Sequence, residues 1–237
     1  MAIGDVFLKS GGVYSQVLNI VGATGAAGPA GSGSGSSGLT KVPVVFVSND
    51  SYTVATNSDG SQTITPSGSG ASAGCPTSTT PFALAPGSLF RFSAWVESPT
   101  NTNNFGGIGI ATSDGLACTI AIRDDANGTA AINSYSGSDI FNSRQAGGTN
   151  DIGYSGDSAP LHYNEIAVYV ISDSLVSVLG RTGSIALDVN KDSFSYGTKD
   201  IVPMFFAQNS NGGPPSDSYT FWGAAYTLET GYDVSPF

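Results

Sequence analysis

Apolar and polar positions alternate along the chain from Lys41 onward, with turn-forming clusters between the alternating runs. In "LFRFSAWV" (89–96), Phe90, Phe92, Ala94 and Val96 share one face, and Arg91, Ser93 and Trp95 share the other. That period of two predicts a half-buried strand. In "NEIAVYVIS" (164–172), Ile166, Val168 and Val170 oppose Ala167, Tyr169 and Ile171, so both faces are predicted to be buried. Similar runs at 42–47, 51–56, 61–65, 106–112, 116–124 and 129–135 predict further strands, as do 174–180, 184–189, 201–208 and 219–229. No window keeps a 3.6-residue period with caps, and glutamate, a good helix former, occurs only at 97, 165 and 229. Residues 39–237 therefore read as one all-β domain, an antiparallel β-sandwich of about twelve strands.

Two stretches fall outside this pattern. Residues 66–87 are rich in Gly, Ser, Thr and Pro and show no period, which predicts a long loop that is functional or draped over a surface. Residues 1–21 alternate loosely through Val6, Leu8, Val13, Val17 and Ile20, and Gly11 and Gly12 split them into two extended pieces or a hairpin. Such a segment is too small to fold alone. Its apolar side chains call for a partner surface.

Between these parts lies "GATGAAGPAGSGSGSSG" (22–38), with glycine at Gly22, Gly25, Gly28 and Gly31. Glycine at every third position is the collagen pattern, in which the triple-helix axis has no room for a Cβ. The frame breaks at Ser34. A flexible Gly/Ser linker is the other reading of this composition.

An apolar N-terminal peptide, a brief collagen-like run and a C-terminal β domain together resemble bacteriophage fibre and decoration proteins. The resemblance implies a homotrimer with Gly22, Gly25, Gly28 and Gly31 on its axis. It implies attachment to capsid or tail proteins of the virion through residues 1–21, a stalk at 22–38 and an exposed sandwich at 39–237. The sandwich is similar to jelly-roll domains of the concanavalin A type. "LFRFSAWV" resembles their early core strand, "YNEIAVYVISDSLVSVLG" their paired middle strands, and "YTFWGAAYTLE" the late strand returning beside the first.

Composition sharpens this picture. Charged residues make up only 11% of the chain, against roughly 25% in an average globular protein. The net charge of −10 would repel phosphate backbones, so no nucleic-acid partner is expected. No apolar run reaches the ~20 residues of a membrane helix, so no membrane insertion is expected. The N-terminus lacks a basic n-region before an apolar core, so the expectation is synthesis in the host cytoplasm without a signal peptide, with assembly onto the virion surface. Cys75 and Cys118 are too few for a disulfide framework and read as free thiols, with a single disulfide between them as the other reading.

Candidate chemistry is sparse. "GASAG" (70–74) matches the nucleophile elbow at Ser72 but lacks the strand before it and the helix after it. "DVNKD" (188–192) starts like an EF-hand loop, yet Ser193 and Lys199 stand where glycine and the bidentate glutamate belong. Asp124 and Asp125 would point to opposite faces of an extended chain. The expectation is a protein that is not an enzyme, with no cofactor and no metal. Tyr135, Tyr154, His162 and Tyr163, near polar Gly/Asn/Asp loops, are the candidates for binding host-surface glycan. A receptor-binding tail fibre or spike is the alternative to a capsid-associated fibre, and a polysaccharide-cleaving sandwich is the enzymatic alternative.

Overall fold

The computed structural model describes residues 6–10, 13–18, 39–67, 74–97, 104–112, 117–123, 129–135, 154–155, 161–173, 175–182, 185–191, 200–209 and 217–233. The chain divides into two units, Met1–Gly38 and Leu39–Phe237. In the first, β1 (Val6–Ser10) and β2 (Val13–Leu18) pair antiparallel, with Ser10 opposite Val13. Gly22, Gly25, Gly28 and Gly31, and with them the triple-helix expectation, lie outside the described residues.

The second unit is all-β, and none of its described residues is helical. Its strands begin with β3 (Val42–Pro43), β4 (Tyr52–Thr56), β5 (Gln62–Pro66), β6 (Gly74–Cys75), β7 (Phe82–Ala83) and β8 (Leu89–Glu97). Then come β9 (Asn104–Thr112), β10 (Ala117–Arg123), β11 (Thr129–Tyr135) and β12 (Tyr154–Ser155). The last are β13 (Leu161–Ser172), β14 (Leu175–Thr182), β15 (Ile185–Lys191), β16 (Asp200–Asn209) and β17 (Tyr219–Glu229).

All pairings are antiparallel and build two sheets. The eight-stranded sheet runs β15-β14-β13-β8-β17-β5-β4, with β3 also on β17. The seven-stranded sheet runs β12-β11-β10-β9-β16-β6, with β7 also on β16. The chain changes sheet between β8 and β9 and again between β16 and β17, so early β8 pairs late β17 and early β9 pairs late β16. This is the wrap of a jelly roll. The returning "YTFWGAAYTLE" strand lies beside "LFRFSAWV", as the fold resemblance implies.

The core fills the space between the sheets. Phe90, Phe92, Ile166, Val168 and Val170 from one sheet pack with Ile108, Ile110, Ile201 and Phe205 from the other. Burial in β8 alternates along its length and Ile166 to Val170 of β13 are all buried, as their apolar patterns predict, but Ile171, expected on a buried face, is exposed near the end of the strand.

The stretch 66–87 departs from the expected loop. It contributes β6 and β7, which pair with β16 at Cys75–Phe205 and Phe82–Ile201. Neither two-residue strand has a period to read. They form because the edge of β16 away from β9 offers unpaired backbone groups that need partners. The extra short strands also take the sandwich beyond the expected number. Cys75 is a free, buried thiol.

Candidate functional site

Strand alternation sends Phe90, Phe92, Ala94 and Val96 into the core and leaves Arg91, Ser93, Trp95 and Glu97 on the outer face of the eight-stranded sheet. Register then decides what stands beside them. Tyr163 of β13 lies opposite Trp95 on one side, and Trp222 of β17 lies opposite it on the other. Three aromatic residues thus form a row across three adjacent strands. The rings of Tyr163 and Trp95 have centroids 5.5 Å apart at 59°.

Trp222 reaches this face because of a local irregularity. The register of β17 slips between Trp222 and Ala225, and Gly223 there has a φ of 60°. A bulge with glycine in the left-handed region inserts one residue and re-aims its neighbours. Phe221 upstream and Tyr226 downstream both keep to the core side, while Trp222 and Ala225 share the outer face.

A charged group lies next to the row. Arg91 contacts the Glu165 carboxylate at 3.5 Å and the Glu229 carboxylate at 3.9 Å. Both are diagonal cross-strand neighbours, since Arg91 itself is opposite Ala167 and Thr227. Tyr163 donates its hydroxyl proton to Glu165 at 3.2 Å. Burial pushes the Tyr163 phenol up to about 12, and the neighbouring Glu165 charge adds to this against a hydrogen bond from Ser93. It is therefore a proton-bearing donor at neutral pH. Tyr232 donates to Glu229, and that hydrogen bond, ahead of burial, raises its phenol above the ordinary range. At the other end, the Trp222 indole donates to Asp59 at 3.2 Å. Asp59 is held below the usual carboxylate range chiefly by its hydrogen bonds from Ser61.

Both tryptophans and all three glutamates of the chain, Trp95, Trp222, Glu97, Glu165 and Glu229, thus meet on one face of one sheet. The scarcity of these residue types is visible in the sequence, and their convergence depends on strand order.

Of the residues chosen from sequence, Tyr163 is in the aromatic row. His162 is next to it in β13, with its backbone opposite Val96. Tyr135 and Tyr154 belong to the other sheet, opposite Ala117 and Ala130. The structure therefore distributes the four over two sheets. Among the described residues no cluster of three or more His, Cys, Asp or Glu is arranged to hold a metal ion.

No protein-family model and no curated protein matches the chain. Solved structures of similar layout include alginate lyase A1-II', a member of polysaccharide lyase family 7 (13% identity, 78% of this chain and 86% of that one, TM-score 0.42). The endo-1,3-β-glucanase from Streptomyces sioyaensis is similar over 88% of each chain, at 14% identity and a TM-score of 0.48. The Emp46p carbohydrate recognition domain is similar over 80% of this chain and 94% of that one, at 12% identity and a TM-score of 0.43. The expectation that the chain is not an enzyme is corrected by this company of lyases and a glucanase.

Proposed function

We propose that residues 39–237 bind glycan on the outer face of the eight-stranded sheet, as the exposed part of a homotrimeric, capsid-associated phage fibre or decoration protein. The observation that carries the glycan reading is the row Tyr163–Trp95–Trp222 with Arg91, Glu165 and Glu229 beside it. Trp222 is only 8% exposed, so Trp95 and Tyr163 present the accessible part of the row, about 5 Å across at the strand spacing of about 4.8 Å, the scale of one sugar ring. Aromatic surfaces suit the C–H faces of sugar rings, while fixed carboxylates and hydroxyls accept and donate to sugar hydroxyls.

The trimer reading draws on the Gly-X-Y frame and on the first residues of the sandwich. Leu39, Val42, Val45 and Val47 are exposed there, where three chains leaving one axis would bring them together. The virion reading draws on the order of segments alone, and labelling of particles tests it.

A glycan array tests the binding. Saturable hits that disappear in Trp95→Ala, with the near-UV circular dichroism otherwise retained, are expected. Hits indifferent to Trp95→Ala would sink the assignment of this face. Cleavage is the second reading, favoured by the proton-bearing Tyr163 hydroxyl held at Glu165. New reducing ends on a bound polysaccharide, absent with Tyr163→Phe, would establish it.

A further inference from the structure

Ion pairing on this face leaves one cation over. Arg181 of β14 stands directly opposite Glu165 of β13 in the register, a placement in which opposite charges ordinarily pair. Glu165 turns the other way. One of its oxygens meets Arg91 at 3.5 Å, and the other accepts the Tyr163 hydroxyl at 3.2 Å. Glu229 is engaged by Arg91 and by Tyr232, and Asp59 by Ser61 and Trp222. Glu97 is not free either. The carboxylates around the aromatic row thus have partners. Arg181 is exposed and, among the described residues, has neither an ion pair nor a hydrogen bond.

We infer that this face selects a sugar that carries a carboxylate, a uronic or sialic acid unit, with the carboxylate on Arg181 and the sugar ring on Tyr163 and Trp95. The inference rests on the glycan reading of this face. Tyr163 is the diagonal neighbour of Arg181, in the next strand about 4.8 Å over, and Trp95 follows in the strand beyond. Hydrogen bonds from Ser93 and to Glu165 hold the Tyr163 phenol in place. A ring seated on these two aromatics directs one edge toward β14, where Arg181 stands. A planar carboxylate on that edge can take two parallel N–H donors from the guanidinium fork. Arg91 cannot serve instead, since its side chain is only 32% exposed and is shared by two glutamates. Glu165 offers little opposition, because its side chain is 15% exposed and its charge is already met by Arg91. The chain's net charge of −10 is screened beyond ~8 Å at physiological salt. It therefore opposes a densely charged polymer, which runs past many acids, more than a single acid unit.

An array probed with the full chain tests this. It holds sialylated, glucuronosyl and galacturonosyl oligosaccharides, the methyl ester of each, and neutral chains, so that it also separates a sialic from a uronic ligand. Hits lost in Trp95→Ala are expected to be acids, bound about tenfold or more tightly than their own methyl esters, the size of one charge-assisted pair. Arg181→Gln is expected to bring acid and ester to the same affinity, and Arg181→Lys to keep part of the difference. Rising salt is expected to shrink that difference in the unaltered protein. Near-UV circular dichroism checks that these variants of an exposed residue keep the fold. Trp95-dependent hits that are neutral, or a preference for acid over ester that survives in Arg181→Gln, would overturn the inference while leaving the glycan reading intact. A blank array, or hits indifferent to Trp95→Ala, would overturn both.

Discussion

The ring of Tyr219 occupies the space in which residue 106 would carry a side chain. A Cβ built on Gly106 falls 2.4 Å from Cε1 and 2.5 Å from Cζ of that ring. Gly106 belongs to the seven-stranded sheet and Tyr219 to the eight-stranded one, so the absence of one side chain lets the sheets approach here. The ring cannot easily retreat, because Phe205 packs against it with centroids 5.0 Å apart.

Gly106→Ala is therefore expected to destabilise the sandwich by about 1–3 kcal/mol, the usual cost of overpacking a filled core. A lowered urea midpoint with an unchanged slope would show it. An unchanged midpoint would mean that the ring has somewhere to go.

Gln62 acts in place of a strand for Phe46. Its side-chain oxygen accepts from the Phe46 N–H at 2.8 Å and its amide donates to the Phe46 carbonyl at 3.2 Å, both in buried surroundings. The backbone groups on either side, at Val45 and Val47, are taken by Ser78 and Pro76. Gln62→Leu leaves a buried donor and a buried acceptor unpaired, and is expected to cost about 2–4 kcal/mol. Thermal unfolding of the variant checks this; a loss below a few tenths would show that water reaches Phe46.

How much of this is legible in the sequence depends on how local each feature is. The alternation in β8 and the double-sided burial of β13 depend only on each strand's own period, and both can be read directly. The pairing of β8 with β13 and β17 joins residues 64 to 140 positions apart, and no local pattern reports it. For that reason Arg91, Glu165 and Glu229 cannot be assembled from the sequence, and Tyr163 stands out there without its neighbours Trp95 and Trp222. The Gly223 bulge is equally hidden. A single glycine in "TFWGAAY" does not announce that the inward face changes parity there. Glycine at that point in an aromatic strand is the one available signal.

The phenol of Tyr163 has a folded-state value of about 12, above its unfolded value near 10. With the folded pKa raised, the stability this group contributes is complete below pH 10 and is lost as pH rises from there through 12. Alkaline titration monitored by tyrosinate absorbance is expected to show a late phase that is smaller by one tyrosine in Tyr163→Phe. Because the ring lies beside Trp95, tryptophan emission should fall over the same interval in the parent protein alone. Ionisation of Tyr163 near pH 10 would contradict its burial.

Asn164 breaks the agreement between pattern and environment. It is fully buried on the core side of β13, in line with Ile166 and Val168, and neither its amide nitrogen nor its amide oxygen has a hydrogen-bond partner. An amide buried without partners costs about 1–3 kcal/mol relative to an apolar group of the same size. Asn164→Leu keeps the branched four-atom outline of the side chain while adding volume, at a position flanked in register by Ala94 and Thr182. The variant is expected to raise the urea midpoint by an amount equivalent to about 1–3 kcal/mol, with no change in slope. Loss of stability would instead reveal a buried water that the amide holds. The strand context adds a second reading of the same variant. Asn164 lies between Tyr163 and Glu165, which face the opposite way, so a stabilised variant with weakened glycan binding would show that the amide sets the position of these two residues. Stabilisation with unchanged binding would make it a core polar residue without influence on the outer face.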